Sequence, residues 1–385
     1  MPSHLARQPT RPTFGWDNLS GDRDSGLPAV DDLPHTRQLT SGRAALFAAL
    51  KALSVEPGDS VLAPSYHCPT LVAPLRAAGA AVQFYPLGPD GLPALDAITP
   101  APRTRALVAA QLFGLPRSLA AVRAWCDARG IALVEDCAHS FFGQAGERPA
   151  GHWGDLATAS VSKFFPVPEG GLLASARPLP ALPLQPAGAK QQVKAWVDLL
   201  ERGSQQHRLS GLNTLLAALF RLKNGPPRPA SAGGPPRALS EAEMMAECDL
   251  ARSEQAPTAL AQRLFSLPRA RIVARRRAHY DVLYRGTQQL PGAHPLFGAL
   301  PAQAAPYVMP LWVDAAARAE TAYAALRAAG CAVFRWDRVW PGVPDFHDDH
   351  GARWRTQVLQ LLCHQDLTEP MLARTCELLK ETLTR

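Results

Sequence analysis

The chain has 385 residues, of which 47% are hydrophobic and 19% are charged, a composition that indicates a globular protein and excludes a disordered one. The formal net charge is +7, but no helix-turn-helix, zinc-finger or aromatic-studded sheet motif accompanies the basic residues, so nucleic-acid binding is not predicted. The seven cysteines are scattered without a CxxC pair. They predict neither a disulfide framework nor a metal site, and they suit a reducing compartment.

Targeting signals are lacking in the sequence. The N-terminus has no apolar core of a signal peptide, and no later stretch is long and apolar enough to span a bilayer. We therefore expect a cytoplasmic protein without membrane contact. The densest basic run, residues 269–277, has helical spacing with one solvated face, and it predicts contact with an anionic small substrate or with another subunit.

The first 38 residues are rich in Pro, Asp and Arg and predict an extended arm. Ser41, Gly42 and Arg43 then lead into an apolar helix. A helix start with small residues offers backbone N–H groups and the positive end of the helix dipole to a phosphate. A plain helix cap without a ligand explains the same three residues.

Strands and helices alternate through residues 39–187, which we assign to a large domain. Short connections and apolar strands without polar alternation predict a mostly parallel sheet with helices on both faces, an α/β fold. Ligands bind beyond the carboxyl ends of the strands in such sheets. The predicted strands are 60–63, 81–85, 105–113, 131–136 and 172–175, and the predicted helices are 70–78 and 118–129.

The predicted strand over 131–136 ends at Asp136, and His139 follows three residues later. A buried carboxylate is costly unless it has a positive partner, so Asp136 requires a cation, for which the protonated ring nitrogen of a cofactor is suitable. A capping aspartate and a core histidine are the structural alternative.

Lys163 follows a run of small and β-branched residues and precedes two phenylalanines, two prolines and a Glu-Gly-Gly turn. The prolines exclude a helix, and the pattern favours a strand that ends in a turn holding the ammonium inside the protein. Desolvation would lower the pKa of the lysine and make its amine a nucleophile. Alternatively, the stem of Lys163 lies on an apolar surface with its head in water.

The rest of the chain divides into two regions. Residues 188–268 predict helices at 189–202, 212–222 and 240–262, the last broken near Pro257, with a low-complexity linker over 224–237. The helix over 212–222 is apolar enough to pack between domains or across a dimer. Residues 269–385 predict a small α+β domain with helices at 269–290, 315–329 and 368–384 and strands at 307–313 and 332–336.

The order of four motifs resembles the DegT/StrS family of sugar aminotransferases, which are pyridoxal-phosphate enzymes of the aspartate-aminotransferase fold (fold type I). These motifs are Ser41-Gly42-Arg43, Ser65-Tyr66-His67-Cys68, Glu135-Asp136-Cys137-Ala138-His139 and Ser160-Val161-Ser162-Lys163 followed by Glu169-Gly170-Gly171. The match extends from about Leu39 to Ser175 and continues more weakly through the C-terminal domain.

The resemblance implies a role for each matching residue. Lys163 would bind pyridoxal 5'-phosphate covalently and shuttle protons, and Asp136 would hold the pyridine nitrogen protonated. His139 would lie near the ring oxygen of the cofactor. Cys68 stands where the family has a stacking aromatic, so His67, Tyr66 or the thiol would cover the ring. The phosphate would be held by Ser41, Gly42, Arg43 and Ser160.

The implied reaction moves an amine from an amino acid, commonly glutamate, to a keto sugar or nucleotide-linked keto sugar, in polysaccharide or secondary-metabolite biosynthesis. The implied assembly is a homodimer with a shared active site. One departure is the family's Asn-Tyr-Arg segment, which has no clear counterpart here. A pyridoxal-phosphate-dependent sugar dehydratase or eliminase is a second interpretation, although that branch replaces the lysine by histidine. A cofactor-binding protein without catalysis is the third.

Overall fold

A seven-stranded sheet occupies the first half of the chain in a computed structural model that describes residues 7–224 and 239–384. Its strand order is β1-β9-β8-β5-β4-β2-β3, and the five strands from β8 to β3 are parallel, while β9 is antiparallel to both its neighbours. The predicted mostly parallel sheet is confirmed. The strands, with the small β6-β7 hairpin, are β1 His35–Leu39, β2 Ser60–Pro64, β3 Ala81–Tyr85, β4 Thr104–Ala110, β5 Ala132–Asp136, β6 Gln144–Ala145, β7 Arg148–Pro149, β8 Leu156–Ala159 and β9 Gly171–Ser175.

Each face of this sheet packs against helices. Helices α1, Gly42–Ala52, and α2, Pro69–Ala77, cover one face, and α3, Ala120–Asp127, lies on the other. Successive strand residues point to opposite faces, so Val61 and Leu62 belong to different cores. Because both faces are covered, the strands that the sequence predicted are mainly apolar. The edge strand β1 is polar, with the sequence His-Thr-Arg-Gln-Leu.

The strand predicted over 105–113 ends earlier, at Ala110, because the chain turns sharply at Leu112–Gly114. Phe113 has a positive φ of 63°, and its carbonyl accepts the N–H of Tyr307 at 2.9 Å. A Cβ on Gly114 would lie 2.1 Å from the Tyr307 nitrogen, so only glycine allows this approach. The turn thus brings Tyr307 to the edge of the sheet.

Four helices follow the large sheet: α4 Ala189–Gln205, α5 Asn213–Asn224, α6 Glu241–Glu247 and α7 Ala259–Leu264. The predicted helical stretch over 240–262, with its break near Pro257, is two short helices, α6 and α7, and the first of them ends earlier than predicted, at Glu247. Ser240 caps α6 and Thr258 caps α7. Almost all of the predicted linker, 224–237, lies outside the described residues.

A second, four-stranded antiparallel sheet in the order β10-β11-β13-β12 forms the C-terminal part. The sequence missed β13, which runs directly on from α10 without any turn residue between them. It also missed β10 and α10. The domain limits assigned from the sequence stay a prediction. The elements are α8 Ala270–Thr287, β10 Ala293–Pro295, β11 Val308–Val313, α9 Ala316–Ala328, β12 Val333–Phe334, α10 His350–Gln357, β13 Val358–Leu362 and α11 Glu369–Leu383.

The basic run at the start of α8 binds groups of its own chain. Arg269 pairs with Asp31 at 2.6 Å, and Arg271 pairs with Asp366 at 2.9 Å. Arg276 is fully buried. The prediction that this run contacts a substrate or another subunit stays a prediction. Among the described helices, none is both long and apolar enough to cross a membrane.

Candidate active site

A cavity of about 480 Å³ lies where the carboxyl ends of β5 and β8 meet the N-terminus of α1. The second sheet supplies part of its wall through Phe334 and Leu362, and Tyr307, the residue before β11, supplies another part. Of the residues to which the sequence analysis gave a role at the cofactor, the cavity is lined by Ser41, Gly42, Arg43, Cys68, Asp136, Ser160 and Lys163.

Lys163 ends a short 3-10 turn, Val161–Lys163, immediately after β8. Its Nζ lies 5.2 Å from the centroid of the Tyr307 ring. Burial lowers the pKa of Lys163, while the nearby Cys68 and Asp136 raise it. A lysine with a lowered pKa presents more of the neutral amine, which is the nucleophilic form.

The main chain around Lys163 is held by α8 and by the loop after β13. The Arg276 guanidinium donates to the carbonyl oxygens of Lys163 and Pro306, and to Gln365 Oε1. Gln365 Nε2 donates in turn to the Phe164 carbonyl at 2.7 Å. Burial lowers the pKa of Arg276 to about 10, so it stays charged at neutral pH.

Asp136 lies at the end of β5 and faces the same cavity. Its carboxylate accepts the N–H of Ala138 at 3.0 Å and the hydroxyl of Thr158 at 3.1 Å. Thr158 stands directly opposite Asp136 in the β5–β8 pairing. Burial raises the pKa of Asp136, and Lys163 together with these two hydrogen bonds lowers it. The carboxylate therefore lies in a largely desolvated place where a cation is the favoured neighbour.

The N-terminus of α1 contacts the turn that precedes Lys163. Ser41 caps the helix by accepting the N–H of Ala44 at 3.2 Å, and the first turn leaves N–H groups without intrahelical acceptors. A Cβ on Gly42 would lie 3.0 Å from the Cβ of Ser160, so a side chain there would crowd the space beside the Ser160 hydroxyl. The Arg43 Nε donates to the Asp249 carbonyl at 2.9 Å.

The two predicted histidines do not line the cavity. His67 is turned into the core, where its ring stacks on Phe84 at 5.2 Å and its Nδ1 donates to the Pro64 carbonyl at 2.9 Å. Cys68, the next residue, lines the cavity instead.

His139 lies in an aromatic cluster, 4.3 Å from the Tyr307 ring and 4.8 Å from the Trp336 ring between centroids. Its Nδ1 accepts the N–H of Phe113 at 3.3 Å. Burial and the charge of Lys163 lower its pKa, so the ring is neutral.

Sequence reasoning missed Thr158 and Tyr307 as parts of this site. Thr158 was within reach, because a residue opposite Asp136 on the neighbouring strand has to meet it. Tyr307 follows a long irregular segment, and no local sequence pattern predicts that its side chain lies in the cavity.

Comparisons with known proteins match part of the chain to one family. Residues 32–181 match the DegT/DnrJ/EryC1/StrS aminotransferase family. A UDP-N-acetyl-3-dehydro-alpha-D-glucosamine 3-aminotransferase of Acidithiobacillus ferrooxidans is 30% identical over 40% of this chain and 42% of its own length. A dTDP-4-dehydro-2,3,6-trideoxy-D-glucose 4-aminotransferase of Saccharopolyspora spinosa is 34% identical over 36% of this chain and 38% of its own length. The chain thus spans about two fifths of these curated relatives.

The likeness to solved structures covers more of the chain. The crystal structure of DesI in the presence of its TDP-sugar product matches with a TM-score of 0.66 at 18% identity, over 99% of this chain and 93% of that one. At this identity the comparison establishes the fold. The fold is that of pyridoxal-phosphate aminotransferases of fold type I, as the sequence predicted.

Proposed function

We propose that this chain, whose residues 32–181 belong to the DegT/DnrJ/EryC1/StrS aminotransferase family, is a pyridoxal-phosphate-dependent aminotransferase. It moves an amine from an amino acid, such as glutamate, to a keto sugar or a nucleotide-linked keto sugar. The observation that carries the proposal is that Lys163 and Asp136 face one cavity beside the N-terminus of α1. The two curated relatives, by their names, act on dehydro sugars attached to nucleotides, which supports the substrate class.

The residues of the cavity fit the three functional groups of this cofactor. A phosphate suits the first turn of α1 and the Ser160 hydroxyl, where the absence of a side chain at Gly42 keeps the space open. A protonated pyridine nitrogen suits the carboxylate of Asp136. The aldehyde suits the amine of Lys163. When bound, pyridoxal phosphate supplies a carbonyl that accepts an amine and a ring that stabilises negative charge on the adjacent carbon.

The residues of the chain then have distinct tasks. Lys163 would hold the cofactor through its amine, and its neutral Nζ would accept the proton that leaves the α-carbon of the amino donor. Its lowered pKa favours that neutral form. Asp136 keeps its negative charge toward the ring, and the Thr158 hydroxyl fixes its orientation. The apolar wall of Tyr307, Phe334 and Leu362 limits the entry of water.

A second copy of the chain is proposed as the partner of helices α4 and α5. These helices expose large apolar side chains: Val193 (63%), Trp196 (50%), Leu215 (60%), Leu219 (52%) and Leu222 (86%). An exposed apolar face of this extent favours an interface. Because α4 also lines the cavity, through Gln191, Lys194 and Asp198, the second copy would lie next to the cavity mouth.

A half-reaction tests the proposed function. The protein loaded with pyridoxal phosphate is mixed with L-glutamate in the absence of any sugar, and 2-oxoglutarate is measured by mass spectrometry. A transaminase releases up to one equivalent per chain, whereas a sugar dehydratase or a non-catalytic cofactor-binding protein releases none. The Lys163→Ala variant is the control and should release none. If no amino acid yields its keto acid while the cofactor is bound, the proposed function is wrong.

A further inference from the structure

The strap, defined here as residues 7–14, is an irregular segment fixed by buried polar groups. Gln8 is 8% exposed, and its side chain accepts the N–H of Ala332 and donates to the Met371 carbonyl, both at 2.9 Å. His364 Nε2 donates to the Pro9 carbonyl at 2.8 Å. The Thr13 N–H donates to Asp366 Oδ2 at 2.9 Å. Buried polar groups are costly unless they are all paired, so these bonds hold the strap in one place.

The fixed strap puts Arg11 at the edge of the cavity. Thr10, Arg11 and Pro12 all line the cavity that contains Lys163. Pro12 is buried, while the Arg11 side chain is exposed. Arg11 therefore reaches solvent within the cavity from a main chain that cannot easily move.

The other cationic side chains of the cavity have partners, and that of Arg43 is the main-chain carbonyl of Asp249. Lys194 pairs with Asp198 on α4, and Arg252 pairs with Glu169. Lys163 is coupled to Asp136. For Arg11, by contrast, no ion pair is formed with a carboxylate anywhere in residues 7–224 and 239–384. Arg11 is thus left with a charge and donors that no side chain of the described chain neutralises.

The surroundings of Arg11 are positive as well. Burial and then the charge of Arg11 lower the pKa of Arg202 on α4, so two guanidinium groups lie close enough to repel one another. The charge of Arg11 also acts, with that of Arg276, against the rise that burial causes in the pKa of Tyr307. Tyr307 is the ring beneath Lys163 Nζ. The positive charge of Arg11 thus acts on groups at the mouth of the cavity and on Tyr307 next to Lys163.

We propose that Arg11 forms an anion-binding subsite at the mouth of the cavity, which holds an anionic group of a substrate while the reacting atom lies near Lys163. A guanidinium donates two parallel hydrogen bonds to a carboxylate or a phosphate. The inference rests on the proposed function, because that function supplies two substrates with such groups. The carboxylate of the amino donor and the diphosphate of a nucleotide-linked sugar are the two sources.

Binding measurements on the cofactor-loaded protein test this subsite without turnover. Isothermal titration calorimetry uses 2-oxoglutarate as the carboxylate probe and inorganic pyrophosphate as the diphosphate probe. Loading with pyridoxal phosphate fills the phosphate seat at α1, so that neither probe enters it. We expect Arg11→Gln to weaken binding of at least one probe about tenfold or more, and Arg11→Lys to retain part of the affinity. The probe that is affected identifies the source of the anion.

Arg7→Gln is the matched control, because Arg7 lies on the same strap but does not line the cavity. It removes the same charge and should leave both affinities within twofold of wild type. Equal weakening by the two variants would overturn the subsite, as would failure of the wild type to bind either probe. Tight anion binding that depends on Arg11, in a protein that releases no 2-oxoglutarate from glutamate, would overturn the proposed function and leave the subsite standing.

Discussion

The guanidinium of Arg276 donates a hydrogen bond to the main-chain oxygen of Lys163 at 2.5 Å. Arg276 is buried and also donates to the Pro306 carbonyl and to Gln365 Oε1. This one side chain therefore connects helix α8, the loop that contains Pro306 and the loop that contains Gln365 to the turn at Lys163. The Cζ atom of the Arg276 guanidinium lies 4.3 Å from the centroid of the Phe164 ring. The position of Lys163 therefore depends on the second half of the chain.

Removal of Arg276 should destabilise the protein and loosen Lys163. Arg276→Met removes a charged donor from the Lys163 and Pro306 carbonyls and from Gln365 Oε1, and we expect the free energy of unfolding to fall by about 3 kcal/mol. Urea denaturation measures this loss, and the affinity for pyridoxal phosphate should fall as well.

Arg277→Met is the control, since Arg277 is adjacent on α8 but is only half-buried and binds the Pro301 and Ala304 carbonyls. This variant should lower the free energy of unfolding by about 1 kcal/mol or less and leave the affinity for pyridoxal phosphate unchanged. Equal losses in the two variants would show that Arg276 has no special relation to Lys163.

A methyl group at Gly42 should weaken cofactor binding without harming the fold. The added Cβ would lie 3.0 Å from the Cβ of Ser160, which narrows the proposed phosphate seat. Gly42 is in a helix, where alanine has the higher helix propensity, and this gain offsets part of the cost of the close contact with Ser160, so we expect the fold to be retained. We expect Gly42→Ala to raise the Kd for pyridoxal phosphate about tenfold, a loss of about 1.4 kcal/mol, in a fluorescence titration.

Gly298→Ala serves as the control, because nothing lies within 4 Å of a Cβ there. It should bind the cofactor as the wild type does. An unchanged Kd in Gly42→Ala would place the phosphate elsewhere.

His67 should make the protein sensitive to acid. Burial lowers the pKa of His67 to about 4, against an ordinary value of 6.5. Between these two pH values the unfolded chain binds more protons than the native one, so the free energy of unfolding falls as the pH falls from 6.5 toward 4. The contribution of His67 to the difference between pH 7 and pH 4.5 is about 2.5 kcal/mol.

His67→Phe removes this titration and retains the stacking on Phe84. Urea denaturation at the two pH values should show a smaller difference than in the wild type. His294→Asn, which alters an exposed histidine, should keep the full difference. If His67→Phe loses as much stability on acidification as the wild type, then His67 is not neutral in the native protein.

The apolar face of α4 and α5 should determine the oligomeric state. We expect the wild type to sediment as a dimer and Trp196→Glu combined with Leu219→Glu to sediment as a monomer, because buried charge without a partner is costly. Leu19→Glu changes another exposed leucine, outside α4 and α5, and should remain dimeric. A wild-type monomer, or a dimer that survives the double substitution, would contradict the assignment.

Much of the large sheet was predictable because its inner strands are mainly apolar on both faces and have short connections. The Lys163 turn and Asp136 were also within reach, since both follow strands that end at one edge of the sheet. Arg276 was not predictable as a buried residue. Its acceptors come from three separate segments, and only the tertiary fold brings them together. His67 and Cys68 illustrate a further limit: they are adjacent in the loop between β2 and α2, His67 lies in the core and Cys68 in the cavity wall, and the sequence alone left open which one faces the cavity.

The covalent bond between Lys163 and the cofactor is the central claim, and borohydride trapping tests it most directly. The protein is incubated with pyridoxal phosphate, reduced with sodium borohydride, digested and mapped by mass spectrometry. The adduct should appear on the peptide that contains Lys163 and be lost in Lys163→Ala. An adduct on another cavity lysine such as Lys194, or the absence of any adduct, would contradict the account.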